Sequence, residues 1–194
     1  MSEYEIKALT SDTWDAFAAL ASRHGGAGMG GCWCTWFHRE THSGSPTGTA
    51  EDARDYKRGL VETGRAHAAL VFDGDQAVGW TQYGSPDELP GIAHRKEYLE
   101  GADALPDHRI TCFFVDRLSR RSGVAAAALD GALDLIAAAG GGVVEAYPQD
   151  TPGKKVSATF LYSGTRPMFE RAGFVYQRPK GKNHCILRKV INPS

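Results

Sequence analysis

The sequence has few cysteines, no excess of charge of either sign and no long apolar run. Its 194 residues include four cysteines, too few and too unevenly spaced for a disulfide framework, so we expect reduced thiols. Lysine and arginine number 22 against 23 aspartates and glutamates, which argues against a nucleic-acid or membrane-surface partner. The first residues lack the pattern of a signal peptide. We therefore expect one cytoplasmic domain, residues 1–194, that binds a small ligand.

Hydrophobic periodicity and turn residues divide the chain into strands and helices. Strands are predicted at 3–9, 66–72, 76–83, 108–115, 143–147, 174–177 and 185–190. Helices are predicted at 13–24, 49–63, 93–100, 124–139 and 165–172. The glycine-rich segment 25–31 and the cluster of aromatic residues, cysteines and histidine after it are interpreted as a structured functional loop.

A strand, a turn containing glycine and a helix start follow one another at 115–125. Such a junction leaves backbone N–H groups unpaired at the positive end of the helix dipole, which favours a bound anion. Arg120 and Arg121 add positive charge, and the small residues Gly123 and Ala125 let a diphosphate approach the backbone. The alternatives are an ordinary surface turn and an RNA-phosphate contact, and the near-neutral charge of the chain argues against RNA.

The spacing of Val115, Arg120, Gly123 and Ala125 resembles the central motif of the GNAT superfamily of acyl-CoA-dependent N-acyltransferases. Segment 160–174, a short helix that ends in Gly-Phe, is similar to a second signature of that superfamily. The order of the elements also resembles it over nearly the whole chain. The resemblance implies an α+β fold with a mixed, mostly antiparallel central sheet and helices on both faces, in three α/β/α layers.

The resemblance also implies an activity: an N-acetyltransferase that uses acetyl-CoA as co-substrate and acylates a primary amine of a small molecule or peptide. It implies that CoA lies along the strand and the turn, at Phe113, Val115, Arg120, Arg121, Ser122, Gly123, Val124 and Ala125. The architecture is compatible with a homodimer. The alternative is a non-catalytic acyl-CoA sensor, because Phe169 stands where the superfamily often has a tyrosine as the acid.

Acylation of an amine needs a proton acceptor for the amine, a donor for the developing oxyanion and a proton for the departing thiolate. Glu145, on the strand beside the pantetheine strand, is the predicted base; otherwise it is a sheet-edge or solvent-facing carboxylate. Tyr162 is the predicted acid, with Tyr147 as second choice; otherwise Tyr162 is a core aromatic residue. A backbone N–H near Val115 is the predicted oxyanion donor.

Three aromatic residues of the functional loop, Trp33, Trp36 and Phe37, either form a wall of the acceptor pocket or fill the core. Cys112 stands in an apolar run, which favours a buried, inert thiol over a nucleophile that carries an acyl group.

The loop also contains residues of the types that bind metals. Their spacing lacks the paired C-x-x-C pattern of structural zinc, so no metal is expected. The residues concerned are Cys32, Cys34, His38 and His42.

Overall fold

A seven-stranded sheet lies at the centre of the fold. The computed structural model describes residues 4–23, 33–39, 49–153 and 158–194. The strands lie side by side in the order β1-β2-β3-β4-β5-β7-β6. Neighbouring strands are antiparallel except β4 and β5, which run parallel. Their bounds are β1 Glu5–Ala8, β2 His67–Asp73, β3 Gln76–Gly84, β4 His108–Val115, β5 Gly142–Ala146, β6 Val175–Lys180 and β7 His184–Ile191.

Five α-helices belong to the described part of the chain. The second begins with a capping box, in which the Thr49 hydroxyl accepts from the Asp52 N–H and the Asp52 carboxylate accepts from the Thr49 N–H. Among the described helices, none has the length and apolar character needed to cross a membrane. The helices are α1 Trp14–Ser22, α2 Ala50–Glu62, α3 Arg95–Glu100, α4 Val124–Ala138 and α5 Arg166–Arg171.

Alternation of side chains along the strands produces two apolar cores, one on each face of the sheet. Leu70 of β2 and Phe114 of β4 belong to the core that includes α1. Their chain neighbours Val71 and Phe113 belong to the other core, with α4 and α5. The predicted three-layer α+β architecture is therefore confirmed.

The element boundaries differ most from the sequence-based prediction at β6. The prediction ended this strand at residue 177, whereas β6 continues to Lys180 and includes Pro179. β6 is an edge strand, the position in a sheet where proline is tolerated. The glycine-rich segment 25–31 lies outside the described residues.

Gly79 of β3 allows the first turn of α4 to lie directly on the sheet. A Cβ atom here would overlap the Val124 side chain and would lie 2.9 Å from the Phe114 carbonyl oxygen. Val124 is buried and is the first residue of α4. The absence of a side chain at Gly79 therefore determines how closely the N-terminus of α4 approaches the end of β4.

We expect Gly79→Ala to lower the free energy of unfolding by about 1–3 kcal/mol, because the added methyl group overpacks this contact. Gly59→Ala is the matched control: Gly59 lies within α2 and its new Cβ would meet nothing within 4 Å. That change should stabilise the protein by about 0.5–1 kcal/mol through helix propensity. Urea unfolding of both variants tests the pair, and equal midpoints would contradict the close contact.

Candidate functional site

The parallel strands β4 and β5 part after three residue pairs, the last of which is Ile110 with Ala146. β4 then continues to Val115, paired with β3 alone. Within the described residues, the edge of 111–115 that faces β5 has no neighbouring strand. Unpaired strand edges bind extended ligands through their backbone N–H and C=O groups.

The chain after β5 stays bonded to the β7 side of the sheet, through the Cys185 N–H to the Pro148 carbonyl oxygen, and no longer pairs with β4. The Gln149 N–H donates to the Gly164 carbonyl oxygen at 3.0 Å, and the Arg166 N–H donates to the Gln149 carbonyl oxygen at 3.0 Å. The 3₁₀ segment Ala158–Ser163 lies against β4. The gap between the strands is therefore fixed by the backbone.

The turn between β4 and α4 presents a helix start without a side-chain cap. Gly123 is the N-cap residue, with a φ of 91° in the left-handed region that favours glycine. The first turn of α4 contains no acidic residue. The N–H groups of this turn, at the positive end of the helix dipole, form a site suited to an anion. Arg120, Arg121 and Ser122 are exposed beside it.

Hydrogen bonds fix this turn at both ends. The Tyr4 hydroxyl donates to the Ser122 carbonyl oxygen at 3.2 Å. At the start of the turn, the Leu118 N–H donates to the Asp116 carboxylate at 2.9 Å. Asp116 is buried and also pairs with Arg23. The carboxylate of Asp116, which lies in the same turn as the anion site, is therefore neutralised by a partner.

A pocket of about 510 Å³ opens at the other end of the gap. Its lining includes Thr111 and Tyr147, which each follow directly on the last β4–β5 pair. Residues 36–37, 162–163 and 180–184 form other parts of the wall. The open strand edge thus runs from this pocket to the anion-binding turn.

Solved structures of acetyltransferases match nearly the whole chain. They include a GNAT-family protein from Desulfovibrio desulfuricans, with 15% identity, a TM-score of 0.55 and coverage of 97% of this chain and 99% of the other. The chain has the GNAT fold. An N-acetyltransferase from Staphylococcus aureus matches with 12% identity, a TM-score of 0.54 and coverage of 98% and 100%. A Corynebacterium glutamicum protein named histone acetyltransferase HPA2 and related acetyltransferase matches with 14% identity, a TM-score of 0.57 and coverage of 100% and 98%.

No protein-family model and no curated protein sequence matches the chain. Sequence identities of 12–15% support a shared fold and do not by themselves support a shared substrate. The GNAT fold that the motif at 115–125 implied is confirmed by these structures.

The three aromatic residues of the loop after α1 divide between the two predicted roles. Trp33 is buried in the core and stacks on Trp14, with 6.1 Å between ring centroids. Trp36 and Phe37 line the pocket and pack edge to face, 4.6 Å apart. Trp36 and Phe37 therefore remain candidates for the wall of the acceptor pocket, whereas Trp33 fills the core.

Three hydroxyl groups lie in the pocket wall. Tyr162 lines the pocket, and burial raises the pKa of its hydroxyl, so it remains protonated at neutral pH. The Ser163 hydroxyl has no hydrogen-bond partner among the described residues, although the residue is only 4% exposed. The Tyr147 hydroxyl lies within electrostatic reach of Tyr98 and Glu145 but has no described partner in hydrogen-bonding geometry. Buried polar groups of this kind favour a polar ligand.

Glu145 lies away from the pocket lining, in contrast to its predicted role as base. Its side chain is fully buried, and one oxygen accepts from Arg188 Nε at 2.7 Å. The other oxygen accepts from the Tyr98 hydroxyl at 2.6 Å. A carboxylate enclosed in this way does not fit direct contact with an acceptor amine. The structure instead gives Glu145 a role in the ion pair that joins β5 to β7.

His184 is a pocket residue that the sequence reading missed. It lines the pocket, and its Nε2 lies 3.0 Å from the side-chain nitrogen of Gln149. Burial, with a contribution from Lys180, lowers the pKa of the imidazole, so it is neutral at pH 7. Nδ1 is free to accept a proton when the Gln149 amide presents its oxygen, instead of its nitrogen, to the Nε2–H group. No pattern in the sequence points to it, because His184 and Thr111 line one pocket only through the order of β4, β5 and β7 in the sheet.

A buried polar chain leads to the pocket from the other side. The Lys57 ammonium lies 2.6 Å from the Gln82 amide oxygen and 3.0 Å from His38 Nε2. The Gln82 amide nitrogen donates to the Thr111 hydroxyl at 3.1 Å. Burial, followed by the charge of Lys57, lowers the pKa of His38 to about 3, so this imidazole is neutral at physiological pH. The chain orients Thr111 at the pocket wall.

Cys112 is 1% exposed, in agreement with the buried thiol predicted. Its sulfur lies 3.2 Å from Cys34 Sγ, which also accepts from Trp80 Nε1 at 3.2 Å.

The described residues contain no group of three or more side chains suited to a metal ion. Cys32 and His42 lie outside the described residues.

We expect Arg188→Met to lower the free energy of unfolding by about 3 kcal/mol, because it leaves the Glu145 carboxylate buried beside an uncharged partner. Arg58→Met is the control: it breaks the exposed pair with Glu62 and should cost no more than about 0.5 kcal/mol. Urea unfolding measures both, and similar losses would contradict a structural role for the Arg188–Glu145 pair.

Proposed function

We propose that the chain is an N-acetyltransferase, which transfers an acetyl or short acyl group from acetyl-CoA to a primary amine of a small molecule or peptide. The observation that carries the proposal is the gap between β4 and β5, with a helix start suited to an anion at one end and a pocket at the other. The GNAT fold of the chain supports the same activity.

The residues at the turn fit the diphosphate of CoA. A Cβ built on Gly123 meets nothing within 4 Å, so the space in front of the helix start is open. The N–H groups of residues 121–125 would hold the diphosphate, with Arg120 and Arg121 as additional donors. The open edge of β4 at Phe113 and Val115 would bind the pantetheine arm. Acetyl-CoA supplies the activated acyl group as a thioester.

The pocket supplies groups for the proton transfers. In the proposed reaction the neutral amine forms a C–N bond to the thioester carbonyl carbon, the C–S bond breaks, and one proton passes from the amine to the departing sulfur. His184, neutral at pH 7, is the proposed proton acceptor in place of Glu145. Tyr162 is the proposed donor to the sulfur. A thiol with a pKa of about 8.5 leaves readily, so the donor contributes less than the acceptor.

A non-catalytic acyl-CoA sensor remains the second candidate, because of Phe169. This side chain is fully buried between Phe113 and Phe174 and has no proton to give. Release of free thiol from acetyl-CoA separates the two functions. The transferase requires release that depends on an added amine, whereas the sensor binds CoA without turnover.

We expect Gly123→Glu to abolish both the stabilisation by acetyl-CoA and the amine-dependent release of thiol, because it adds a carboxylate at the diphosphate position. Gly123→Ala is the matched control, since it imposes the same backbone strain without the charge. Wild type should gain about 2.7 kcal/mol of stability at a ligand concentration of 100 Kd. Equal stabilisation of Gly123→Glu and Gly123→Ala by acetyl-CoA would contradict this binding site.

We expect His184→Gln to lower kcat about 100-fold with little change in the KM for acetyl-CoA, because the variant lacks a proton acceptor in the pocket. His67→Gln is the control, since His67 lies on β2 outside the pocket and contacts Glu88. Steady-state rates of thiol release measure both. A kcat for His184→Gln equal to that of the control would rule out His184 as the acceptor.

A further inference from the structure

The described pocket lining contains basic side chains and no carboxylate. Its ionisable groups other than tyrosine are Lys180, Lys182, His94 and His184. The carboxylate of nearby Glu145 is already occupied by Arg188 and Tyr98. The described wall therefore presents positive charge to whatever enters the pocket.

Lys180 is partly buried at the pocket wall and forms no ion pair with a carboxylate among the described residues. Its Nζ donates to the Ala93 carbonyl oxygen at 2.7 Å and lies 5.8 Å from the centre of the Tyr147 ring. Burial lowers the pKa of Lys180, the charge of Glu97 partly opposes this, and the cations Arg178 and Arg109 lower the pKa further. An anion in the pocket would relieve this electrostatic cost.

Two further features define what else the pocket accepts. Trp36, Phe37 and Tyr162 provide an aromatic wall for an apolar group. The buried Ser163 hydroxyl, which has no hydrogen-bond partner among the described residues, favours a polar atom in the ligand. A ligand with one apolar part and one anionic, hydrogen-bonding part meets both requirements.

We propose that the acceptor is an amine that also carries a carboxylate, as an amino acid does, with an apolar or aromatic body against Trp36 and Phe37 and its carboxylate towards Lys180 and Lys182. This inference rests on the proposed transferase function. It excludes polyamines and aminoglycosides as good acceptors, because their additional cations meet like charge in the pocket.

Matched pairs of acceptors test the charge directly. Thiol release from acetyl-CoA is measured at pH 7 with phenylalanine, tryptophan and leucine, with the primary amide of each, and with spermidine. The amides have the less basic amine, so intrinsic reactivity favours them over the free amino acids. We expect kcat/KM to be at least about tenfold higher for the amino acids, because a charge-assisted hydrogen bond to the carboxylate outweighs that advantage.

A charge reversal at the exposed turn of the pocket provides the second measurement. Lys182→Glu should lower the ratio of kcat/KM between amino acid and amide at least about tenfold. Lys96→Glu is the control, because Lys96 is an exposed lysine on α3 outside the pocket lining, and it should leave the ratio unchanged.

The outcomes separate the two proposals. The inference would be overturned if the amides or spermidine were turned over as well as the amino acids, or if Lys182→Glu left the ratio unchanged. Either result would leave the transferase function standing. If no amine released thiol above the amine-free rate, the transferase function itself would fall, and this inference with it.

Discussion

The separation of β4 from β5 is the structural feature on which the rest of the site depends. In a continuous sheet, the N–H and C=O groups of residues 111–115 would pair with the next strand. Here the pairing ends at Ile110 and Ala146, and the following segment is tied to Gly164 and Arg166 instead. A strand edge without a neighbouring strand is suited to an extended arm that offers its own amides.

Charge is distributed along this gap in a consistent way. Asp116, which follows β4, and Glu145 of β5 are both buried and both paired with arginine. The helix start at Gly123, with Arg120 beside it, and the lysines of the pocket lining provide the positive charge along the gap. The same arrangement favours an anionic cofactor at one end and an anionic acceptor at the other.

The sequence predicted the order of the elements and the helix start at Gly123, because both depend on local patterns. Periodicity identifies strands and helices, and a glycine at a helix start is read from neighbours in the chain. It offered Trp36, Phe37 and Tyr162 as residues of the acceptor site, and all three line the pocket. It did not predict Thr111 and His184, which reach the same wall from distant segments. It also assigned Glu145 to the base by its strand position, although the contacts that bury this carboxylate come from α3 and β7.

A crystal structure of the protein with CoA tests the central claim most directly. The predicted result has the diphosphate on the N–H groups of residues 121–125, the pantetheine arm along the free edge of β4, and the sulfur at the pocket beside Thr111. A structure in which CoA binds elsewhere, or in which β5 pairs with residues 111–115 and closes the gap, would contradict it.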